Sequence, residues 1–226
     1  MDFSSMVKLR ETEDIANEYM ICEQLGEGNF GTVCAGKHRR TDVECAIKII
    51  NKVELLKKGD RRLFNLLEHE IGVLQATSHP NIVRIFQLLE DKTNIYCAME
   101  LMGGSLDQYI KNKKNKISEE MAVYIMRQLC KAIKYMHCHN IAHRDLKPAN
   151  ILMQDSTLTP TRPRIKVTDF GFATHLVQDN ETLSYKLGSA RYKAPELVDR
   201  FGREKHDEKV DIWAIGCLAF EIFARE

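Results

Sequence analysis

The segment Gly26-Glu27-Gly28-Asn29-Phe30-Gly31 spaces its glycines as G-x-G-x-x-G and carries β-type sequence on both sides. An apolar run from Tyr19 leads into it; TVCAGK (32–37) and VECAIKII (43–50) follow it. A dinucleotide-binding βαβ unit requires a helix directly after such a loop. Strand-type sequence stands there instead, so the loop reads as the tip of a strand–loop–strand flap. Glycines at such a tip let backbone N–H groups approach phosphates without Cβ clashes. An ordinary glycine hairpin would explain the loop equally well on its own.

Within 43–50 the period of two sets Val43, Cys45, Ile47 and Ile49 on one face and Ala46 and Lys48 on the other. A lysine inside an apolar strand is costly to bury unless it is paired. Residues 60–78 read as a helix with Leu63, Leu67, Glu70 and Leu74 on one face, so Glu70 is the candidate inward carboxylate. Glu68 lies roughly 200° around that helix and faces elsewhere. NIVRIFQLL (81–89) and NIYCAMEL (94–101) read as two further strands. From about Ser105 the pattern turns helical. Ser118 is an N-cap candidate, with Glu119 and Glu120 in the first turn, and Ala122, Ile125, Leu129, Ile133 and Met136 follow at helical spacing. The fold class expected is α+β, with a small β-rich lobe before a larger helical one.

At 226 residues, 44% hydrophobic and 29% charged, the chain is ordinary globular material and long enough to bury a core. Lys+Arg 33 against Asp+Glu 32 gives a net charge of +1, so no global basic field attracts nucleic acid or an anionic membrane. The run KNKKNK (111–116) reads as a solvated loop. Seven cysteines, at 22, 34, 45, 97, 130, 138 and 217, form no C-x-x-C pair, which argues for reduced thiols in an intracellular, cytoplasmic protein. The first 18 residues are polar, hold no signal-peptide core, and are read as a flexible tail. Ile212–Ala224 is the most apolar run; it is too short for a membrane span and reads as a fully buried helix.

Three further motifs carry chemistry. His143-Arg144-Asp145-Leu146-Lys147-Pro148-Ala149-Asn150 sets polar side chains between apolar flanks. Asp169-Phe170-Gly171 follows the short strand pattern Ile165-Lys166-Val167, and Ala194-Pro195-Glu196 comes later. Each alone could be a turn. Together with the glycine loop and Lys48, in this order, they are not a chance arrangement.

From about Tyr19 to its last residue the chain resembles eukaryotic protein kinases of the serine/threonine type, and loosely the calmodulin-dependent and autophagy-type kinases. The resemblance implies a bilobal fold, with an N-lobe at about 19–102 and a C-lobe at about 103–226. It implies ATP and Mg²⁺ as cofactors and serine or threonine hydroxyls of protein substrates as acceptors. Leu25, Gly26, Gly28 and Gly31 would cover the nucleotide, and Val33, Ala46 and Leu152 would sandwich the adenine. Met99 would stand at the back of the pocket, and the backbone of Glu100 and Met102 would bond the adenine edge. Lys48, oriented by Glu70, would hold the α- and β-phosphates; Asp145 would accept the substrate proton; Lys147 would steady the γ-phosphate. Asn150 and Asp169 would hold magnesium. Leu74, Ile85, His143, Phe170 and Asp211 match the family's regulatory spine. A non-catalytic, kinase-like nucleotide- or partner-binding module is the alternative function.

Three departures from the pattern matter. Family members continue past the helix holding Asp211, so the resemblance implies a C-lobe without its last helices, the arginine partner of Glu196 and the cover of 212–224. The loop 154–164 is longer than usual. In the activation segment, Thr182, Ser184 and Tyr185 stand where an upstream kinase would phosphorylate, with Arg144 as the phosphate partner and Thr174 where a basic residue is common. Ser105 and Ala149 occupy positions where kinases that select an upstream arginine carry acids, with Asp107 as a partial substitute. Phe172, after the DFG motif, leans toward serine as acceptor.

Overall fold

Alternating apolar positions and closely spaced strand signals build the first half of the chain into a sheet. A computed structural model describes residues 9–28, 31–57, 61–112, 117–154, 162–170, 173–175, 190–197 and 207–224. The chain divides into two units, 1–76 with 83–101, and 77–82 with 102–226.

The first unit contains β1 (Arg10–Glu11), β2 (Tyr19–Gly28), β3 (Gly31–His38), β4 (Glu44–Asn51), α1 (Lys52–Lys57), α2 (Arg61–Ala76), β5 (Ile85–Glu90) and β6 (Asn94–Met99). Its described strands form one sheet in the order β1-β5-β6-β4-β3-β2, antiparallel except for β1 on β5. The predicted face of β4 is observed: Cys45 and Ile47 join Tyr19, Leu89, Tyr96 and Ala98 in a core cluster, and Ile49 packs against it. Val43 precedes the strand and is exposed. β2 and β3 pair up to Gly28↔Gly31, so the glycine motif is a hairpin, as its flanking sequence indicates. Gly31 is required by packing: a Cβ there would lie 2.0 Å from the Ile49 carbonyl oxygen. α2 ends at Ala76, shortly before His79-Pro80, where proline disfavours a helical predecessor.

The expected polar tail is corrected from residue 9 onward. β1 pairs in parallel with Leu89 and Glu90, and Thr12 N–H donates to Glu90 O at 2.8 Å. The Asp14 carboxylate accepts from Ala16 N and starts a 3₁₀ turn over Ile15–Asn17, which buries Ile15 in the same core cluster. One apolar residue in a polar stretch has no periodicity, so the sequence pattern does not register it.

The second unit contains β7 (Gly104–Ser105), α3 (Leu106–Lys111), α4 (Glu119–Cys138), β8 (Ile141–Ala142), β9 (Ile151–Met153), β10 (Ile165–Val167), β11 (Thr174–His175) and α5 (Lys209–Phe223). Strands β10, β9 and β7 form one small sheet, and β11 pairs with β8. α4 follows its sequence closely: Ser118 Oγ accepts from Met121 N, and Ala122, Ile125, Leu129, Ile133 and Met136 are all buried. The strand expected over 81–89 begins only at Ile85; Ile82 instead bridges Val167, which is why 77–82 groups with the second unit.

α5 departs from the expectation of a fully buried helix. Val210, Asp211, Ala214, Leu218 and Ile222 are buried, whereas Ile212 is 55%, Trp213 50% and Phe220 76% exposed. A helix apolar all round carries no signal of which side packs. The seven cysteines are free thiols. Among the described residues no helix is long and apolar enough to cross a membrane. Residues 113–116, 155–161 and 176–189, with Thr182, Ser184 and Tyr185, lie outside the described residues.

Candidate active site

In the first unit, strand register puts Val33, Ala46, Lys48 and Met99 on the face of the sheet opposite Ile47: Val33 pairs with Lys48 and Ala46 with Met99. Lys48 is 7% and Glu70 4% exposed, and Lys48 Nζ lies 2.6 Å from Glu70 Oε1. The sequence-predicted pair is thus formed between β4 and the inward face of α2. Cys97, opposite Lys48, is no nucleophile: burial pushes its thiol up to about 12, so it stays protonated at neutral pH. Gly26 pairs with Val33, and no atom comes within 4 Å of where its Cβ would be, so space stands open beside the hairpin. Leu25 is exposed beside a register shift in β2. Glu100 N–H donates to Arg84 O at 3.0 Å, so its N–H is engaged within the unit.

In the second unit the chain from His143 to Asn150 folds back on Asp145. Lys147 Nζ lies 2.7 Å from Asp145 Oδ2, and Asn150 Nδ2 donates to Asp145 O at 2.8 Å and to Oδ2 at 3.1 Å. A one-turn 3₁₀ helix over Pro148–Asn150 brings Asn150 round. Asp145 and Asn150 are buried; Lys147 is partly exposed. His143, fully buried, accepts the Asp145 N–H on Nδ1 (3.3 Å), so its proton sits on Nε2 and is donated to Thr168 O at 3.1 Å. Thr168 N–H in turn donates to Asn150 O at 3.0 Å, which ties the residue before Asp169 to Asn150.

Arg144 (φ 68°) and Asp169 (φ 63°) both hold left-handed backbone. For residues with a Cβ this costs of order 1–3 kcal/mol and persists only where the surroundings fix it. At Arg144 the fixing group is visible: its N–H donates to Asp211 Oδ1 at 2.8 Å. Phe170, fully buried, sets its ring 5.1 Å from that of His143; Gly171 and Phe172 lie outside the described residues. Leu152, on β9, is half-buried opposite Ser105 and Lys166 in the small sheet; Met102, also half-buried, directly precedes Gly103, whose N–H donates to Met153 O.

The profile of the protein kinase domain matches residues 19–226. The chain belongs to the protein kinase family. This member of the family is 35% identical over 204 residues to a probable serine/threonine-protein kinase, fhkC, of Dictyostelium discoideum, covering 90% of the chain and 33% of that relative. It is 35% identical over 202 residues to the SNF1-like protein kinase ssp2 of Schizosaccharomyces pombe, covering 89% and 33%. To the serine/threonine-protein kinase ATG1a of Arabidopsis thaliana it is 35% identical over 213 residues, covering 94% and 32%. The chain therefore spans about one third of the length of these relatives.

His137 belongs to no motif of the sequence, yet it joins the site. Its Nε2 lies 2.9 Å from Asp211 Oδ2, which also accepts His143 N–H at 2.8 Å. The available signal was Asp211 itself: a carboxylate in the first turn of an apolar helix needs donors if it is buried. Asp169 and Asn150 supply the hard oxygen donors that suit magnesium. Asn150 directs its amide nitrogen at Asp145, so its amide oxygen is the atom that could serve as a metal ligand. Among the described residues no three His, Cys, Asp or Glu side chains gather as a metal cage. Magnesium characteristically takes one or two carboxylates and completes its shell with water and phosphate oxygens.

Proposed function

We propose that this kinase domain transfers the γ-phosphoryl group of ATP to serine and threonine hydroxyls of protein substrates, with Asp145 as the catalytic base. The observation that carries the reading is the Asp145–Lys147–Asn150 cluster, in which one buried carboxylate oxygen meets an ammonium and an amide. Phosphoryl transfer asks little covalent chemistry of a protein; it needs an oriented hydroxyl and cations along the phosphates.

Each residue then has a task. Asp145 orients the acceptor hydroxyl and takes its proton at a carboxylate oxygen. Lys147, partly exposed beside it, steadies the γ-phosphate, and Lys48 binds the α- and β-phosphates in the direction Glu70 sets. Asn150 and Asp169 would hold magnesium, which when bound offsets negative charge on the phosphates. Val33, Ala46, Met99 and Leu152 would supply apolar surface to the adenine, and the backbone of Glu100 and Met102 its hydrogen bonds. Leu25, Gly26 and Gly28 would lie over the nucleotide. An upstream kinase acting on the 182–185 cluster, with Arg144 as phosphate partner, belongs to the same reading.

The test is phosphorylation of a generic protein substrate by the chain, followed by phosphoamino-acid analysis. Phosphoserine or phosphothreonine is expected, with Asp145→Asn lowering turnover at least about 100-fold. Asp169→Asn should abolish transfer while leaving the melting temperature nearly unchanged. Turnover unaffected by both substitutions defeats the reading. A wild-type chain that binds nucleotide without transfer supports the non-catalytic alternative instead.

A further inference from the structure

The strand that delivers Asp169 is only three residues long, and much of its support comes from side chains outside the site described above. Val167 N–H donates to Asn81 O at 2.9 Å. Asn81 Nδ2 donates to Ile165 O at 2.9 Å and to Gln128 Oε1 at 2.8 Å. Gln128 Oε1 also accepts Ile165 N–H at 3.1 Å, while its Nε2 donates to Pro163 O at 2.8 Å and Tyr124 O at 3.3 Å. Asn81 is 6% and Gln128 9% exposed. Every hydrogen-bonding position of the Gln128 amide is used, and partner chemistry fixes which end is oxygen and which is nitrogen.

We propose that Asn81 and Gln128 are positioning residues for Asp169, the carboxylate assigned above to magnesium; the proposal rests on the kinase reading. Gln128 stands on α4 among Ile125, Leu129 and Ala132, where packing alone would be met by any apolar side chain of its size. Its amide grips the entrance of β10 at Pro163 and Ile165, and together with Asn81 it lines the edge of that strand that β9 leaves open. Two residues beyond Val167 the backbone turns left-handed at Asp169, so a slip of β10 moves the carboxylate directly. Outer groups that orient a metal ligand are typically worth 10–100-fold in metal affinity. α4 also carries His137, whose ring holds Asp211 and through it the His143–Arg144 backbone. One rigid helix thus suspends both the base loop and the metal strand, the arrangement that keeps a site precise.

The test uses the full chain carrying Gln128→Met, which conserves volume and removes the amide. Binding of a non-hydrolysable ATP analogue is measured by calorimetry across a magnesium series, alongside amide exchange over 165–168 and thermal melting. Gln128→Met is expected to raise the magnesium concentration for half-maximal binding about tenfold, with magnesium-free nucleotide affinity within about twofold of wild type. Exchange at Ile165 and Val167 should accelerate more than in the first turns of α4. Gln128→Leu also removes the amide without placing a charge against the Pro163 and Tyr124 carbonyls; it serves if Gln128→Met does not fold, and should shift the magnesium requirement the same way. A folded variant with the wild-type magnesium requirement overturns the proposal, whatever its melting temperature. An equal loss of binding with and without magnesium overturns it too. A wild-type chain that binds no nucleotide at any magnesium level defeats the kinase reading itself and takes the proposal with it.

Discussion

Asp211 Oδ2 accepts the backbone N–H of His143 at 2.8 Å, and the other oxygen of the same carboxylate accepts the N–H of Arg144 at 2.8 Å. One fully buried side chain in the first turn of α5 thereby holds two consecutive residues of the loop that presents Asp145. The tether helps to hold Arg144 at its left-handed φ of 68°. Asp211→Asn replaces one acceptor by a donor and turns it toward an N–H. A buried donor left without a partner costs about 1–3 kcal/mol, so Asp211→Asn should lower unfolding free energy by that amount. Urea denaturation of the two proteins measures it; equal midpoints would show that the clamp contributes nothing.

The N-terminal segment makes a second prediction. Ile15 is buried in the core cluster of the first unit, and the turn that delivers it is capped by Asp14. Ile15→Ala should destabilise the chain by about 2 kcal/mol, at the low end for an aliphatic core truncation because the site is peripheral. Val53 is exposed, and Val53→Ala should change stability by no more than about 0.5 kcal/mol. The two melting curves decide whether residues 10–17 belong to the sheet in solution.

These residues also mark where the sequence was legible. α4 could be read in full because its cap and its apolar stripe agree, and the Lys48–Glu70 pair because both sit on clearly periodic elements. The base loop was legible as a motif, but its clamp was not. His137, Asn81 and Gln128 act through single contacts with residues far along the chain, and such contacts leave no periodicity. Ile15 was hidden for the same reason. α5 failed in the opposite way: its apolar pattern is so continuous that it cannot say which side is covered.

His79 should make stability fall on the acid side of neutrality. Its Nδ1 accepts the Asn81 N–H at 3.1 Å, and its ring packs 5.1 Å from that of Tyr135. Burial holds the imidazole below its ordinary pKa, and the charges of Lys166 and Lys131 push the same way. The folded state therefore binds fewer protons than the unfolded state. The resulting stability is complete above the unfolded value of about 6.5 and is lost as pH falls through the lower folded value. The chain should be less stable at pH 5 than at pH 7. His79→Asn, which keeps an acceptor but does not titrate, should flatten that slope; identical slopes for the two proteins would remove His79 from the account.

Substrate choice follows from where carboxylates are absent or already engaged. Ser105 caps α3: its Oγ accepts Gln108 N–H at 3.2 Å, and its own N–H donates to Gln108 Oε1 at 2.9 Å. The hydroxyl is committed to the helix start and carries no charge to offer a guanidinium. Asp107, two residues on, pairs with Lys111 at 2.8 Å across one helical turn. An incoming arginine would have to displace that lysine, and exposed pairs of this kind are worth only about 0–1 kcal/mol, so the exchange gains little. Ala149, before Asn150, is exposed and offers nothing to bond. By family resemblance these are the positions where an arginine three residues upstream of the acceptor would find a bidentate carboxylate. Phe172, outside the described residues, adds the leaning toward serine. A degenerate peptide library should therefore return serine over threonine at the acceptor position and no dominant arginine three residues upstream. Strong selection for that arginine, or for threonine, would show that the substrate surface is built from other residues.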